Sequence, residues 1–334
     1  MRLNIKSIDY YLPENILSNE DMKKENPHWD IEKVSEKSGV FNRHIASKDQ
    51  TAYDLSLKAC ANLVETNELN DIDGIIFCTQ SPDYIMPSNS FLLHRDLGLD
   101  RDVFCFDFNH ACAGYIYSLK MSEAFMRANM AKKILLVNAD TYSKYIHEKD
   151  RSTRVLFGDA AAVTLVERED DGRGIIDIDI GSDGNGWNKF WIEAGGMRMP
   201  KSEYTSKETS DRGGNIKTKE KISMDGMGVW SFINSVAPKQ IKNMLEKNSI
   251  SIDDIDQIIF HQASKMTLDS VVRSLKLDKD KVFININNLG NTVSASIPIA
   301  LKDAIDEKKV SRGSLVILSG FGVGLSYGTI IMEY

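Results

Sequence analysis

An acidic turn followed by a short apolar run occurs twice in this chain, and its two copies divide the sequence into matching halves. Asp71-Ile72-Asp73-Gly74-Ile75-Ile76-Phe77 returns 183 positions later as Asp254-Ile255-Asp256-Gln257-Ile258-Ile259-Phe260. Each copy predicts a buried strand after a turn, and self-similarity at a fixed offset predicts a repeated structural unit. The neighbours of each copy follow in the same order. In the first half a strand leads to Cys112, then come a helix, a strand over 134–139 and, after Gly158, a strand over 160–167. In the second half come a strand over 282–286, a turn through Gly290 and Asn291, a helix, a strand over 315–319 and, after Gly322 and Gly324, a strand over 328–333. The expectation is a duplicated α/β protein with halves 1–171 and 172–334 that meet near Asp170-Asp171-Gly172.

The helices after the two key turns are unlike surface helices. Tyr115, Ile116, Leu119, Met121, Phe125, Met126 and Met130 point nearly all round the axis, which predicts burial on most sides. Val293, Ile297, Ala300, Leu301, Ala304 and Ile305 follow helical spacing, and the small residues Ser294, Ala295 and Ser296 allow close approach. Two buried helices between two sheets predict five layers, α-β-α-β-α.

Composition narrows the function. Lys and Arg number 41 against 48 Asp and Glu, a net charge of −7, with no long basic run, which disfavours nucleic-acid binding. No apolar run approaches the roughly 20 residues of a membrane span, and the N-terminal stretch reads as a strand without a signal core. A cytoplasmic protein without membrane partners is expected. Cys60, Cys78, Cys105 and Cys112 include no Cys-x-x-Cys pair, which argues against a disulfide framework and a zinc knuckle, and three of them read as core residues. His110 lies two residues before Cys112, but no second ligand cluster follows, so no metal site is expected and His110 reads as structural. His28, His44, His94 and His147 read as surface or cap residues. Asp159 reads as a turn-fixing residue that bonds backbone N–H groups.

Three residues are candidates for chemistry. Cys112 lies at a strand-to-helix junction, where the helix N-terminus favours thiolate over thiol; a buried core cysteine is the plain alternative. His261 follows the second copy of the repeated strand, at the strand end where open α/β sheets hold ligands, and reads equally well as a satisfied core histidine. Asn291 occupies the second-half counterpart of the Cys112 turn, where a helix cap is the simpler role. Gly320-Phe321-Gly322-Val323-Gly324 is compatible with a tight turn or with a backbone N–H brought close to a substrate oxygen.

Taken together, Ala111-Cys112-Ala113-Gly114, Phe157-Gly158-Asp159-Ala160-Ala161, His261-Gln262-Ala263-Ser264, Gly290-Asn291-Thr292 with Ser294-Ala295-Ser296-Ile297-Pro298, and the run from Gly320 to Gly328 resemble the ketoacyl-ACP synthase III family of the thiolase superfamily. These five motifs follow in family order over essentially the whole chain. The resemblance implies the thiolase fold, a homodimer, and a catalytic Cys112, His261 and Asn291, with an oxyanion hole from the backbone of Cys112 and Val323. It implies decarboxylative condensation of an acyl thioester with malonyl-ACP through an S-acyl-Cys112 intermediate. CoA or phosphopantetheine thioesters, the latter on an acyl carrier protein, then serve as substrates, with no metal or resident cofactor.

Departures from the family pattern bear on substrate. Lys33 and Lys37 stand where a tryptophan and an arginine hold the adenine of CoA, while the other stacking arginine is present as Arg151. Trp29 is a candidate replacement if its helix extends that far. Ser264 replaces an asparagine that bonds pantetheine, Val323 replaces a glycine, and Met86 stands where a partner subunit inserts an aromatic residue into the acyl pocket. Met224 to Trp230, with Gly226, corresponds to a phosphopantetheine-tunnel motif. The polar stretch 196–223 before it reads as a long loop and a candidate lid, and Lys265 as added positive charge for an acidic carrier. These departures lean toward a specialised lipid, secondary-metabolite or surface-sugar pathway. The rivals are a same-fold acyltransferase that passes the acyl group to an alcohol, amine or thiol without decarboxylation, and a non-catalytic partner subunit of a heterodimer.

Overall fold

The third residue of each repeat copy explains why the repeat exists. Asp73 accepts the N–H groups of Lys132 and Lys133 at 2.6 and 2.9 Å, and Asp256 accepts that of Leu315 at 2.7 Å. In each half the acid therefore fixes where the neighbouring parallel strand enters the sheet. From that anchor Gly74–Cys78 pairs with Phe104–Phe108 on one side and Lys133–Asp140 on the other, and Gln257–Phe260 pairs with Val282–Phe283 and Leu315–Gly322.

The computed structural model describes residues 2–169 and 172–334. Each half contributes one five-stranded sheet. The first has the order Arg2–Tyr11, Ala160–Glu169, Lys133–Asp140, Gly74–Cys78, Phe104–Phe108, and the second Gly174–Ser182, Ser326–Glu333, Leu315–Gly322, Gln257–Phe260, Val282–Phe283. The pattern of antiparallel and parallel neighbours is the same in both. Helix Gly114–Arg127 and helix Ser296–Asp306 touch strands of both sheets and form the middle layer. Helices Ala52–Ala59 and Asn89–Asp96 cover the outer face of the first sheet, and Gly226–Asn248 with Lys265–Leu275 cover that of the second. The five layers are those expected. Central strands sheltered on both faces read as unbroken apolar runs, as in the wholly buried Ile134-Leu135-Leu136-Val137.

Several local expectations need correction. The burial of the first central helix stops at Met126, and Met130 lies beyond its end, 63% exposed. The strand expected over 282–286 is only Val282–Phe283, because the chain turns into a short helix, Ile286–Leu289. That helix is stopped by Gly290 at φ 69°, where a Cβ would lie 2.8 Å from the Leu156 carbonyl oxygen. Gly320 and Gly322 belong to the strand Leu315–Gly322 and not to a turn. The polar stretch 196–223 is folded. It contains the hairpin Thr209–Ser210 with Ile216–Lys217, and the buried Thr205 hydroxyl donates to Glu220 at 2.6 Å. The junction expected at Asp170-Asp171 lies outside the described residues; on either side, Ala160–Glu169 belongs to the first sheet and Gly174–Ser182 to the second.

Several backbone hydrogen bonds join the halves, and one pair of them lies at the Asn291 turn. Asn291 N–H donates to the Leu156 carbonyl at 2.8 Å, and Gly158 N–H donates to the Asn291 carbonyl at 3.0 Å. Among the described residues no helix is long and apolar enough to cross a membrane.

Candidate active site

Cys112 sits in the short turn between strand Phe104–Phe108 and helix Gly114–Arg127, 4% exposed. The turn is closed by Gly114 N–H on the Ala111 carbonyl at 2.7 Å. Strand Leu315–Gly322 runs directly against it: a Cβ on Gly322 would lie 2.7 Å from Cys112 Cβ and 2.9 Å from Sγ, so only glycine lets the strand pass. Two backbone N–H groups, those of Cys112 and Val323, face Sγ. The helix-end argument for a resting thiolate does not hold. Burial, reinforced by the charge of Asp140, pushes the thiol up to about 12 and outweighs the two amides.

His261 emerges from strand Gln257–Phe260 and is held by its own N–H on the Ser319 carbonyl at 2.8 Å. Asn291 faces it. Val293 N–H donates to Asn291 Oδ1 at 2.9 Å, which turns the amide so that Nδ2 donates to His261 Nε2 at 3.3 Å. Nδ1 then lies 2.6 Å from Ser296 Oγ and donates to it. Burial drives the imidazole down to about 3, so it is neutral at ordinary pH. The turn that aims the amide is strained: Val293, β-branched and fully buried, has φ 54°.

The sequence marks Ser296 as a small residue of one motif and gives Asp140 no role, yet both stand close to this group. Asp140 ends strand Lys133–Asp140, is fully buried, and accepts Gln80 N–H at 2.8 Å and the Ser294 hydroxyl at 2.8 Å. Burial pushes its carboxyl up to about 7 against those hydrogen bonds. A charged residue closing the strand that contains the apolar run 134–137 is the signal available for it. Asp159 does bond backbone N–H groups, but those of other segments, Ala46 at 2.8 Å and Ser143 at 2.9 Å, and so ties them to its turn. His110 is packed on Tyr117, ring centroids 4.2 Å apart, and accepts Ala111 N–H at Nδ1. His147 is buried, 3.3 Å from Glu208, and fills the cap role of the two expected for it, its Nδ1 accepting Lys149 N–H at 3.2 Å. Of the cysteines expected in the core, Cys60 and Cys78 are buried and Cys105 is half-buried; all four are free.

A cavity of about 490 Å³ runs from the surface to Cys112, His261 and Asn291. Exposed Lys37 and Met227 stand at its mouth, Arg151 and Gly226 line it, and Met224, Val229 and Trp230 supply apolar wall. Ser264 also lines it, but its hydroxyl caps helix Lys265–Leu275, accepting Thr267 N–H at 3.3 Å and lying 2.9 Å from Thr267 Oγ1. Lys33 is exposed and outside the lining. Trp29 precedes the helix Ile31–Ser38 and is buried against Met22, Ile31 and Val155, so it supplies no adenine platform. Met86 is 79% exposed on the protomer surface, away from its own chain's cavity. Lys265 is paired with Asp269 at 2.5 Å.

Two mirrored sheets around paired central helices, with a cysteine turn in one half opposite an asparagine turn in the other, make this a thiolase-fold protein. The family models described as 3-Oxoacyl-[acyl-carrier-protein (ACP)] synthase III and its C-terminal region match residues 106–184 and 245–334. The chain is 33% identical to the beta-ketoacyl-[acyl-carrier-protein] synthase III of Fusobacterium nucleatum over 99% of this chain and 98% of that one. It is 35% identical to that of Caldanaerobacter subterraneus over 97% and 95%. A crystal structure of a 3-oxoacyl-(acyl-carrier-protein) synthase III superposes with a TM-score of 0.97 at 34% identity, each chain covered in full. The chain belongs to the 3-oxoacyl-ACP synthase III family.

Proposed function

We propose that this enzyme condenses an acyl thioester primer with malonyl-ACP by decarboxylation, through an S-acyl-Cys112 intermediate. One observation carries the reading: Cys112 Sγ, two backbone N–H groups, a neutral His261 and the Asn291 amide converge at the inner end of one tunnel. The thiol attacks the primer carbonyl while its proton passes to His261 Nε2. The Cys112 and Val323 N–H groups hold the tetrahedral oxyanion. Collapse expels the carrier thiolate, which takes the proton back from His261, and the acyl group stays on Sγ. Malonyl thioester then loses carbon dioxide, and the electron pair moves into its carbonyl to give an enolate. Asn291 Nδ2 and an N–H at His261 Nε2 stabilise that oxygen. The Ser296 hydroxyl can donate to or accept from Nδ1 and so serves either tautomer. The enolate carbon attacks the acyl-Cys112 carbonyl, a C–C bond forms, and the Cys112 thiolate leaves and is reprotonated.

The substrates in this reading are thioesters of CoA or of the phosphopantetheine arm of an acyl carrier protein, threaded past Arg151, Lys37, Gly226 and Ser264, with no resident cofactor or metal. The working unit is a homodimer in the cytoplasm that serves a specialised acyl pathway. The test is intact-mass spectrometry with a panel of acyl-CoA and acyl-ACP primers, followed by malonyl-ACP. We expect an acyl adduct that is absent in Cys112→Ala, and an Asn291→Ala variant that acylates but fails to decarboxylate. Undiminished product from Asn291→Ala rules out condensation in favour of plain acyl transfer, and no adduct from any primer leaves the non-catalytic subunit.

A further inference from the structure

Beyond the tunnel, a second and smaller cavity of about 190 Å³ adjoins the nucleophile. Phe190 is common to the walls of both, and Val323, whose N–H faces Cys112 Sγ, lines the smaller one. Tyr142 and Ile222 pack in the same cluster as Cys112 and also face this space. Phe190 and Val323 thus place this space beside the inner end of the tunnel, though Cys112 itself does not line it. At ~30 Å³ per water-sized group the space holds about six such groups, too few for a long alkyl chain.

The wall has two characters. Phe190, Trp191, Ile192, Ile222 and Val323 are apolar, while Gln80, Asn109, Tyr142 and Tyr145 are polar. The polar residues include a relay: the Tyr142 hydroxyl donates to Gln80 Oε1, and Gln80 Nε2 donates to Asn109 Oδ1 at 2.7 Å. The relay leaves one Gln80 N–H, the Asn109 amide N–H groups and the Tyr145 hydroxyl without a protein partner among the described residues, and the Tyr142 oxygen free to accept. Tyr142 is buried and Gln80 half-buried, whereas Asn109 is exposed and keeps water as a partner, so a purely alkyl primer that covers Gln80 and Tyr142 leaves their groups unpaired, at about 1–3 kcal/mol each. No lysine or arginine lines the space, so a carboxylate-bearing acyl group would be buried without a counter-charge.

We propose that the primer is a short acyl group carrying a hydroxyl or carbonyl oxygen beyond its thioester carbonyl, read by the Gln80–Tyr142–Asn109 relay. This rests on the acyl-Cys112 reading above and names the class of group that Cys112 carries. The probes are butanoyl-CoA and 3-hydroxybutanoyl-CoA in both enantiomers, matched in carbon number, and the readout is the rate of Cys112 acylation by intact mass. One hydroxylated enantiomer should load about 10- to 100-fold faster than butanoyl, the range an unpaired buried hydrogen-bonding group commands. Gln80→Leu and Tyr142→Phe should each narrow that ratio. Butanoyl loading as fast as both hydroxylated forms, or a ratio unchanged in both variants, overturns the inference while the acyl-enzyme stands. Absence of any adduct overturns the acyl-Cys112 reading itself, and this inference with it.

Discussion

A thiol pushed up to about 12 does not attack as a standing thiolate near neutral pH, so Cys112 needs the proton to leave as the attack proceeds. Neutral His261, presenting Nε2, is suited to take it. Asp140 works against the thiolate: once ionised, its negative charge raises the Cys112 thiol. Asp140→Asn should therefore move the pH profile of Cys112 alkylation by iodoacetamide to lower pH. The two proteins should differ most above about pH 7, where the native carboxyl is charged, and converge below it; profiles that coincide throughout would show that this charge does not reach the thiol. Cys112 and His261 are legible in the sequence because each follows a strand, and Asn291 because its turn is the second-half counterpart of the Cys112 turn. Asp140 and Ser294 could not be paired that way, since their hydrogen bond spans 154 positions and depends on how the two halves dock.

Among the elements, strand Leu315–Gly322 passes the nucleophile with no room for a side chain at Gly322. A methyl group on Gly322 must displace Cys112 or the strand itself. Gly322→Ala should slow single-turnover acylation by about 100-fold, the cost of roughly 1 Å of misplacement at a reacting atom. Its thermal midpoint should also fall, as overpacked cores lose about 1–3 kcal/mol. Wild-type acylation rates in this variant would mean that the strand can shift without moving Sγ. Strands with long apolar runs were visible in the sequence. The end of this one was not, since Gly320 and Gly322 signal a turn wherever a close neighbour is unknown, and the neighbour here comes from the other half. The two-residue strand Val282–Phe283 was overdrawn for a related reason: the apolar pattern continues to Ile286, which is buried from within a short helix.

For the molecule as a whole, the duplication and its layers follow from the repeated acid-strand unit, whereas what the protomer leaves uncovered does not show in any periodicity. Tyr84, Ile85, Met86 and Phe91 are 59, 90, 79 and 53% exposed, an apolar concentration of the kind that marks association surfaces. Sedimentation at micromolar concentration should give a dimer, and Ile85→Glu should shift it toward monomer; a monomeric native protein would contradict the proposed homodimer. The backbone pairing of Asn291 with Leu156 and Gly158 bears on how the molecule is made. About 130 residues separate the partners, and at roughly 5–20 residues per second a ribosome takes on the order of ten seconds to traverse them. Through that interval the Leu156 carbonyl and the Gly158 amide await their match, and the nascent first half displays Cys112 with neither His261 nor Asn291 opposite it. Maturation of the reactive centre is thus a late event of translation, completed only when the second half has docked.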